Sequence, residues 1–198
     1  FCMMEKVVEY LKDKEKEMVS VLEELVNLES PSLNKEMVDK FGENLQRILS
    51  KYINCSIEFI ENTSRGNHLR VEYGEGDSQI LILCHMDTVW PLNTIQTMPF
   101  RIEGERAYGP GTFDMKGGIV QAIFALHALE KLNIKLDKKI VLLFTSDEEV
   151  GGETSEELIK KEAQKSDYAL VLESASSKEG KWKTSRKGVA VFDIEVTG

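Results

Sequence analysis

His85 and Asp87 in HMDTVW, Asp114 in GPGTFDMKGG, the neighbours Glu148 and Glu149 in DEEVGG, and Glu173 in VLES are the residues of this chain best equipped for chemistry. An imidazole and several carboxylates brought together could hold a divalent metal ion, or two. His85 and Asp87 stand two apart at what reads as a strand end, so they point the same way. The carboxylate can then orient the imidazole while the ring binds metal. Glu148 and Glu149 are adjacent and diverge, so one can face a metal while the other holds a water. The run Asp147-Glu148-Glu149 is self-repelling unless cations compensate it. Taken alone, it reads more plainly as a solvated turn, and Asp114 alone reads as a helix N-cap before Met115.

These residues share one position in the pattern, the end of a short apolar run. Ile80-Leu81-Ile82-Leu83 leads to His85, Ile140-Val141-Leu142-Leu143-Phe144 to Asp147, and Ala169-Leu170-Val171-Leu172 to Glu173. Each run reads as a strand buried on both faces, and open α/β sheets bind ligands beyond the carboxyl ends of such strands. Val7, Leu11, Met18, Leu22, Leu25 and Val26 recur at helical spacing up to the break Ser30-Pro31-Ser32, and a second helix is expected from about Lys35 to Tyr52. Ile57 to Ile60 and Leu69 to Tyr73 read as strands, and the turn Gly74-Glu75-Gly76-Asp77 leads into the strand ending at Cys84. Val89 to Gly111, with Pro91, Pro99 and Pro110, reads as a long surface connection that carries function.

A helix from about Met115 to Leu132, a strand Lys139 to Thr145, a helix Glu153 to Lys165 and a strand Tyr168 to Leu172 come next. That alternation predicts an α/β fold with right-handed crossovers and a largely parallel sheet. Two further strands are expected at Lys181 to Ser185 and Val189 to Thr197. In the second, Ala190, Phe192, Ile194 and Val196 share one face, a half-buried pattern that suggests a new domain.

With 198 residues and 41% hydrophobic content the chain can bury one core, and its net charge of -9 argues against nucleic acid as a partner. Charge interrupts every apolar stretch short of the roughly 18 to 20 residues of a membrane span, and no signal peptide is read. Cys2, Cys55 and Cys84 lack CxxC spacing, so a reducing, cytoplasmic setting without disulfides is expected, with Cys84 a small buried apolar residue. His68, in an early loop, and His127, on the helix from Met115, read as structural. Gly117-Gly118 and Gly151-Gly152 allow close backbone approach, and Trp90 and Pro91 are expected to wall the pocket.

In this order, each at a strand end, HMDTVWP, GPGTFDMKGG, TSDEEVGG and LES resemble the motifs of the zinc-dependent carboxypeptidase and aminoacylase family. That family includes glutamate carboxypeptidase, acetylornithine deacetylase, succinyl-diaminopimelate desuccinylase, peptidase T and carnosinase, and the resemblance covers most of the chain. It implies a three-layer αβα sandwich around a mixed sheet and a site for two zinc ions, with cobalt or manganese as alternatives. His85 and Glu173 would hold one ion and Glu149 the other, with Asp114 bridging both. Asp87 would support His85, and Glu148 would be the general base that takes a proton from the attacking water. The Asp114-Met115 peptide would be cis.

The motifs look closest to the glutamate carboxypeptidase branch, which implies hydrolysis of an amide bond with release of a C-terminal amino acid such as glutamate. The alternatives are an N-acyl amino acid deacylase of the acetylornithine or succinyl-diaminopimelate type, and a catalytically incompetent fragment that only binds a partner. A peptide or N-acyl amino acid is the expected substrate, with neither nucleic acid nor membrane as partner. By the same resemblance residues 1–187 are the N-terminal part of the catalytic domain. Residues 188–198 are the first strand of a lid and dimerisation domain, through which a homodimer would form. Family members continue past a stretch like Arg186-Lys187-Gly188 and end with a zinc-binding histidine that this sequence does not match. The 198-residue chain alone is therefore expected to show little or no peptidase activity.

Overall fold

The computed structural model describes residues 2–197. Two helices, α1 (Met3–Asp13) and α2 (Glu15–Asn27), stand where the apolar spacing predicts one. The chain turns at Lys14, whose N–H is shared between the carbonyls of Tyr10 and Leu11, a tightened last turn that re-aims α2. Helix α3 (Lys35–Tyr52) matches its expected bounds. Asn34 caps it by accepting from the N–H of Met37, and Val38, Phe41, Leu45, Ile48, Leu49 and Tyr52 form its buried stripe.

The strands are β1 (Ser56–Ile60), β2 (His68–Tyr73) and β3 (Ser78–His85). The connection that reads as irregular contains a one-turn helix, α4 (Thr94–Thr97), and a small hairpin of β4 (Arg101–Glu103) and β5 (Arg106–Tyr108). Helix α5 (Gly117–Lys131), β6 (Lys138–Thr145), α6 (Glu156–Gln164) and β7 (Ser166–Val171) complete the fold. His68 thus opens a strand rather than sitting in a loop.

The main sheet has the order β1-β2-β6-β3-β7. β3 pairs in parallel with β6 and β7, whereas β1, β2 and β6 pair antiparallel, so the largely parallel character holds for one half of a mixed sheet. Side chains alternate across it. Ile82, Cys84, Ile140, Leu142 and Phe144 pack with α2, α3 and α5 on one face, and Leu81, Val141 and Leu143 meet Leu158 and Ile159 of α6 on the other. Helices therefore cover both faces, as a three-layer sandwich requires.

From β3 the chain crosses through α5 to β6, then returns over β3 through α6, on the opposite face, to β7. Reversing both face and direction keeps the hand of the crossover and makes the finishing ends of β3 and β6 a topological switch point.

Two expectations at the far edge fail. The run of β7 predicts a strand buried on both faces, but β7 is an edge strand with Tyr168 63% exposed and Val171 56% exposed. Among the described residues no strand forms at Lys181 to Ser185 or from Val189 to Thr197, and Gly198 lies outside the described residues. A strand exists by pairing. Among the described residues these segments form no strand ladder, their one backbone bond being Ser176 N–H to the carbonyl of Lys181, and Phe192, Ile194 and Val196 stand exposed. No helix among the described residues is long and apolar enough to cross a membrane.

Candidate metal centre

The expected residues come together at the switch point. Strand β3 ends on His85, which is buried. Its Nδ1 lies 2.9 Å from the backbone carbonyl of Asp87, and a carbonyl only accepts, so Nδ1 carries the hydrogen. The Nε2 lone pair then faces Asp114 Oδ1 at 3.0 Å, Glu173 Oε1 at 3.2 Å and Glu148 Oε2 at 3.8 Å. Lone pairs on both sides of these short distances repel unless a cation lies between them. In the absence of metal that cation is a proton. Burial disfavours the charged ring, yet bonds to Asp87 and Glu173 raise the pKa of His85 to about 11.

Asp87 differs from its expected part in one respect. Its carboxylate is 3.4 Å from His85 Nδ1, and its closer partner is Ser32 Oγ at 2.7 Å. Its two oxygens also accept the N–H groups of Glu148 and Glu149, each at 3.2 Å. Asp87 therefore holds the imidazole chiefly through its backbone and the glutamate turn through its side chain. The Ser30-Pro31-Ser32 segment, legible in the sequence only as a helix break, runs beside this strand end. Ser30 Oγ donates to the carbonyl of Met86, and the N–H of Ser32 donates to that of Thr88. Nothing in the sequence pattern marks Ser32.

Asp114 lies in a wide turn, Thr112–Lys116, closed by Lys116 N–H bonding to the carbonyl of Gly111. The Asp114-Met115 peptide is cis, as expected. Asp114 does not cap the helix. Its side chain is 59% exposed and turns to His85, while Met115 is buried with its sulfur against the N–H of His85. The next residues hold the turn from behind. Lys116 is buried, and its Nζ donates to the carbonyl of Leu28 and lies over the Phe41 ring. Burial lowers its pKa to about 7. At Gly118 a methyl group would collide with the carbonyl oxygen of Leu172, so only glycine lets α5 start this close to the segment carrying Glu173.

Glu148 and Glu149 open a short turn after β6. Asp147, before them, is buried rather than solvated. Burial raises the pKa of both glutamates; Asp114 adds repulsion at Glu149, and Glu173 at Glu148. Glu173 moves the other way, because its bond to His85 favours the carboxylate. Two overlapping groups have the spacing to hold an ion, His85 with Glu148 and Glu173, and His85 with Asp114 and Glu149. An imidazole and four carboxylates are a donor set suited to zinc, cobalt or manganese.

An open cavity of about 830 Å³ borders His85, Glu148 and Glu173 and is also lined by Arg186 and Val189. Trp90 and Pro91 do not line it; both are exposed, because the chain turns outward after Thr88. Cys84 is buried as expected, and burial pushes its thiol pKa up. His127 packs among Tyr10, Tyr52 and Phe124, away from the site.

Residues 81–197, more than half of the chain, match the model of peptidase family M20/M25/M40. Carboxypeptidase G2 of Pseudomonas sp. (strain RS-16) is 32% identical over 191 residues, covering 94% of this chain and 45% of that protein. Acetylornithine deacetylase of Buchnera aphidicola subsp. Schizaphis graminum is 31% identical over 189 residues, covering 91% of this chain and 48% of that protein. The chain thus spans about half the length of these relatives. Human carnosine dipeptidase 1 shares the fold with a TM-score of 0.74 at 20% identity, over 86% of this chain and 41% of that one. An M20 family metallo-carboxypeptidase from Sulfolobus solfataricus does so with a TM-score of 0.69 at 22% identity, over 83% and 39%.

Proposed function

The chain belongs to peptidase family M20/M25/M40, and on that premise we propose that it carries the metal-binding and proton-transfer residues of a two-zinc amidohydrolase. His85 and Glu173 would hold one ion and Glu149 the other, with Asp114 shared between them. Asp87 is the support, and Glu148 the general base. When bound, the ions supply Lewis-acid polarisation of the scissile carbonyl and activation of water at neutral pH. The observation that carries this reading is the Nε2 lone pair of His85, aimed at three carboxylates with its other nitrogen already committed.

The residues divide the remaining work. Glu148 is a carboxylate whose affinity for a proton is raised by partial desolvation and by the acids around it, which suits it to take one from the attacking water and deliver it to the departing amine nitrogen. Asp87 fixes where Glu148 stands by holding its N–H. The bond broken is the amide C–N bond. The products are a carboxylate and an amine.

Similarity to carboxypeptidase G2 favours a substrate with a C-terminal amino acid, and similarity to acetylornithine deacetylase keeps N-acyl amino acids as the alternative. Residues 1–187 then belong to the catalytic domain and 188–198 begin a lid domain that forms a homodimer, in a cytoplasmic enzyme consistent with three free cysteines. Neither His68 nor His127 reaches the site, and Asp114 and Glu149, grouped with His85, would face the second ion.

Titration of the metal-free protein with zinc tests this. One ion is expected to bind tightly and raise the melting temperature, reversibly with chelator, by about 2.7 kcal/mol of stability at a hundredfold excess over Kd. Glu173→Ala is expected to weaken that ion by at least about a hundredfold. Failure to bind zinc even in excess would overturn the enzyme reading in favour of a binding module.

A further inference from the structure

A second buried polar group lies on the α6 face, beside the metal centre and unused by it. His68 opens β2 there and is buried. The N–H of Ser146 reaches its Nδ1 at 3.2 Å, and Thr154 Oγ1 lies 3.1 Å from its Nε2. An amide nitrogen only donates, so Nδ1 is the acceptor and Nε2 carries the hydrogen. Thr154 Oγ1 accepts from His68 and from Asn62 Nδ2 at 2.6 Å, and gives its own hydrogen to Asp147 Oδ2 at 2.7 Å. Asp147 Oδ2 also accepts the N–H of Thr154 at 2.8 Å. Ser146 and Thr154 are the two ends of the loop in which the chain leaves β6, presents Glu148 and Glu149, and returns to begin α6. One imidazole bonds both ends.

We propose that His68, as the neutral Nε2–H tautomer, is a positioning residue that closes the loop 146–154 and thereby fixes Glu148 and Glu149 in front of His85. The purpose assigned to the closure rests on the function proposed above; the closure itself does not. Asp87 holds the two glutamate N–H groups at 3.2 Å each, the long end of hydrogen-bond geometry, so the turn depends on the loop being held elsewhere as well. An apolar residue could fill the space of His68, but the N–H of Ser146 would lose its acceptor.

Nitrogen NMR of the metal-free protein and amide hydrogen exchange test the proposal without any metal. The imidazole shifts are expected to report the Nε2–H tautomer. In His68→Leu, exchange at Glu148, Glu149 and Gly152 is expected to accelerate by about tenfold or more relative to the amides of β3. His68→Gln, which can accept and donate at the same two places, is expected to restore that ratio to within about threefold. Arg70→Met, on the same strand but bonded to α6, is expected to loosen the molecule and leave the loop-to-core ratio unchanged. A Nδ1–H tautomer, or a His68→Leu ratio equal to wild type, overturns the proposal. Should His68→Leu not fold, the ratio in His68→Ala takes its place with the same expected and overturning results. A protein that binds no zinc yet passes these tests would sink the enzyme reading and leave the closure standing.

Discussion

Two groups of carboxylates sit on this sheet, and the chain treats them in opposite ways. Toward the starting ends of the parallel strands, Glu162 of α6 is 3% exposed and bonds Arg70 Nε at 3.0 Å and Gln79 Nε2 at 3.1 Å. Beside it Glu72 bonds Arg70 Nη2 at 2.8 Å and Lys139 Nζ at 3.3 Å. Burial works against the charge of Glu162, but Arg70 and Gln79 hold its pKa below the ordinary carboxylate range. At the finishing ends Asp114, Glu148, Glu149 and Glu173 share one histidine, and the pKa values of Glu148 and Glu149 rise. The first group carries its cations in its own sequence. The second has one imidazole for four carboxylates, and that shortage, more than the number of acids, is what marks a place for an ion from solution.

Substitutions at the two ends should therefore act with opposite sign. Arg70→Ala strands Glu162 without its main partner and is expected to destabilise the fold by about 3 to 5 kcal/mol, read from denaturant midpoints. Glu149→Gln, in metal-free protein, is expected to be neutral or stabilising by up to about 1 kcal/mol, because it removes a repulsion. Equal losses at both ends would dissolve the contrast.

Gly118→Ala sharpens it by disturbing the site without touching a charge. Its methyl group forces α5 away from Leu172 at a cost of about 1 to 3 kcal/mol and moves Glu173 from His85, so zinc affinity should fall along with stability.

The smallest effect is a pH dependence. Burial lowers the pKa of His68, while the charged groups facing it, Asp147 and Asp87, pull the other way. The unfolded chain therefore takes up its proton first, and stability is lost as pH falls below about 6.5, the pKa of a free imidazole. The midpoint difference between wild type and His68→Gln should shrink between about pH 7.5 and about pH 5.5, and a constant difference would contradict it.

Much of the site was legible because its residues end strands whose apolar runs are short and clear. The runs before His85, Asp147 and Glu173 fix where each side chain emerges, and the crossovers between them follow from chain length and hand. The residues that position the site left no such trace. Ser32 and Thr154 are small hydroxyl residues in turns, indistinguishable by pattern from any solvated ones, yet they bond Asp87 and Asp147 across 55 and 7 positions of sequence. His68 carries no periodicity that could announce two partners 78 and 86 residues away. The exposure of β7 escapes the sequence for a related reason, since an apolar run states what a strand could bury and not whether a neighbour arrives to bury it.

Glu173 follows β7, which among the described residues lies at the edge of the sheet and pairs with β3. In the order of synthesis it is the last of the proposed ligands to appear, long after His85 and Asp114. An ion that requires Glu173 would settle only on a chain whose β7 has already docked, and its binding energy would be added to that docking step. Metal would then work as a clasp on the sheet as well as a reagent. Without it, β7 would open more readily than the strands beside it.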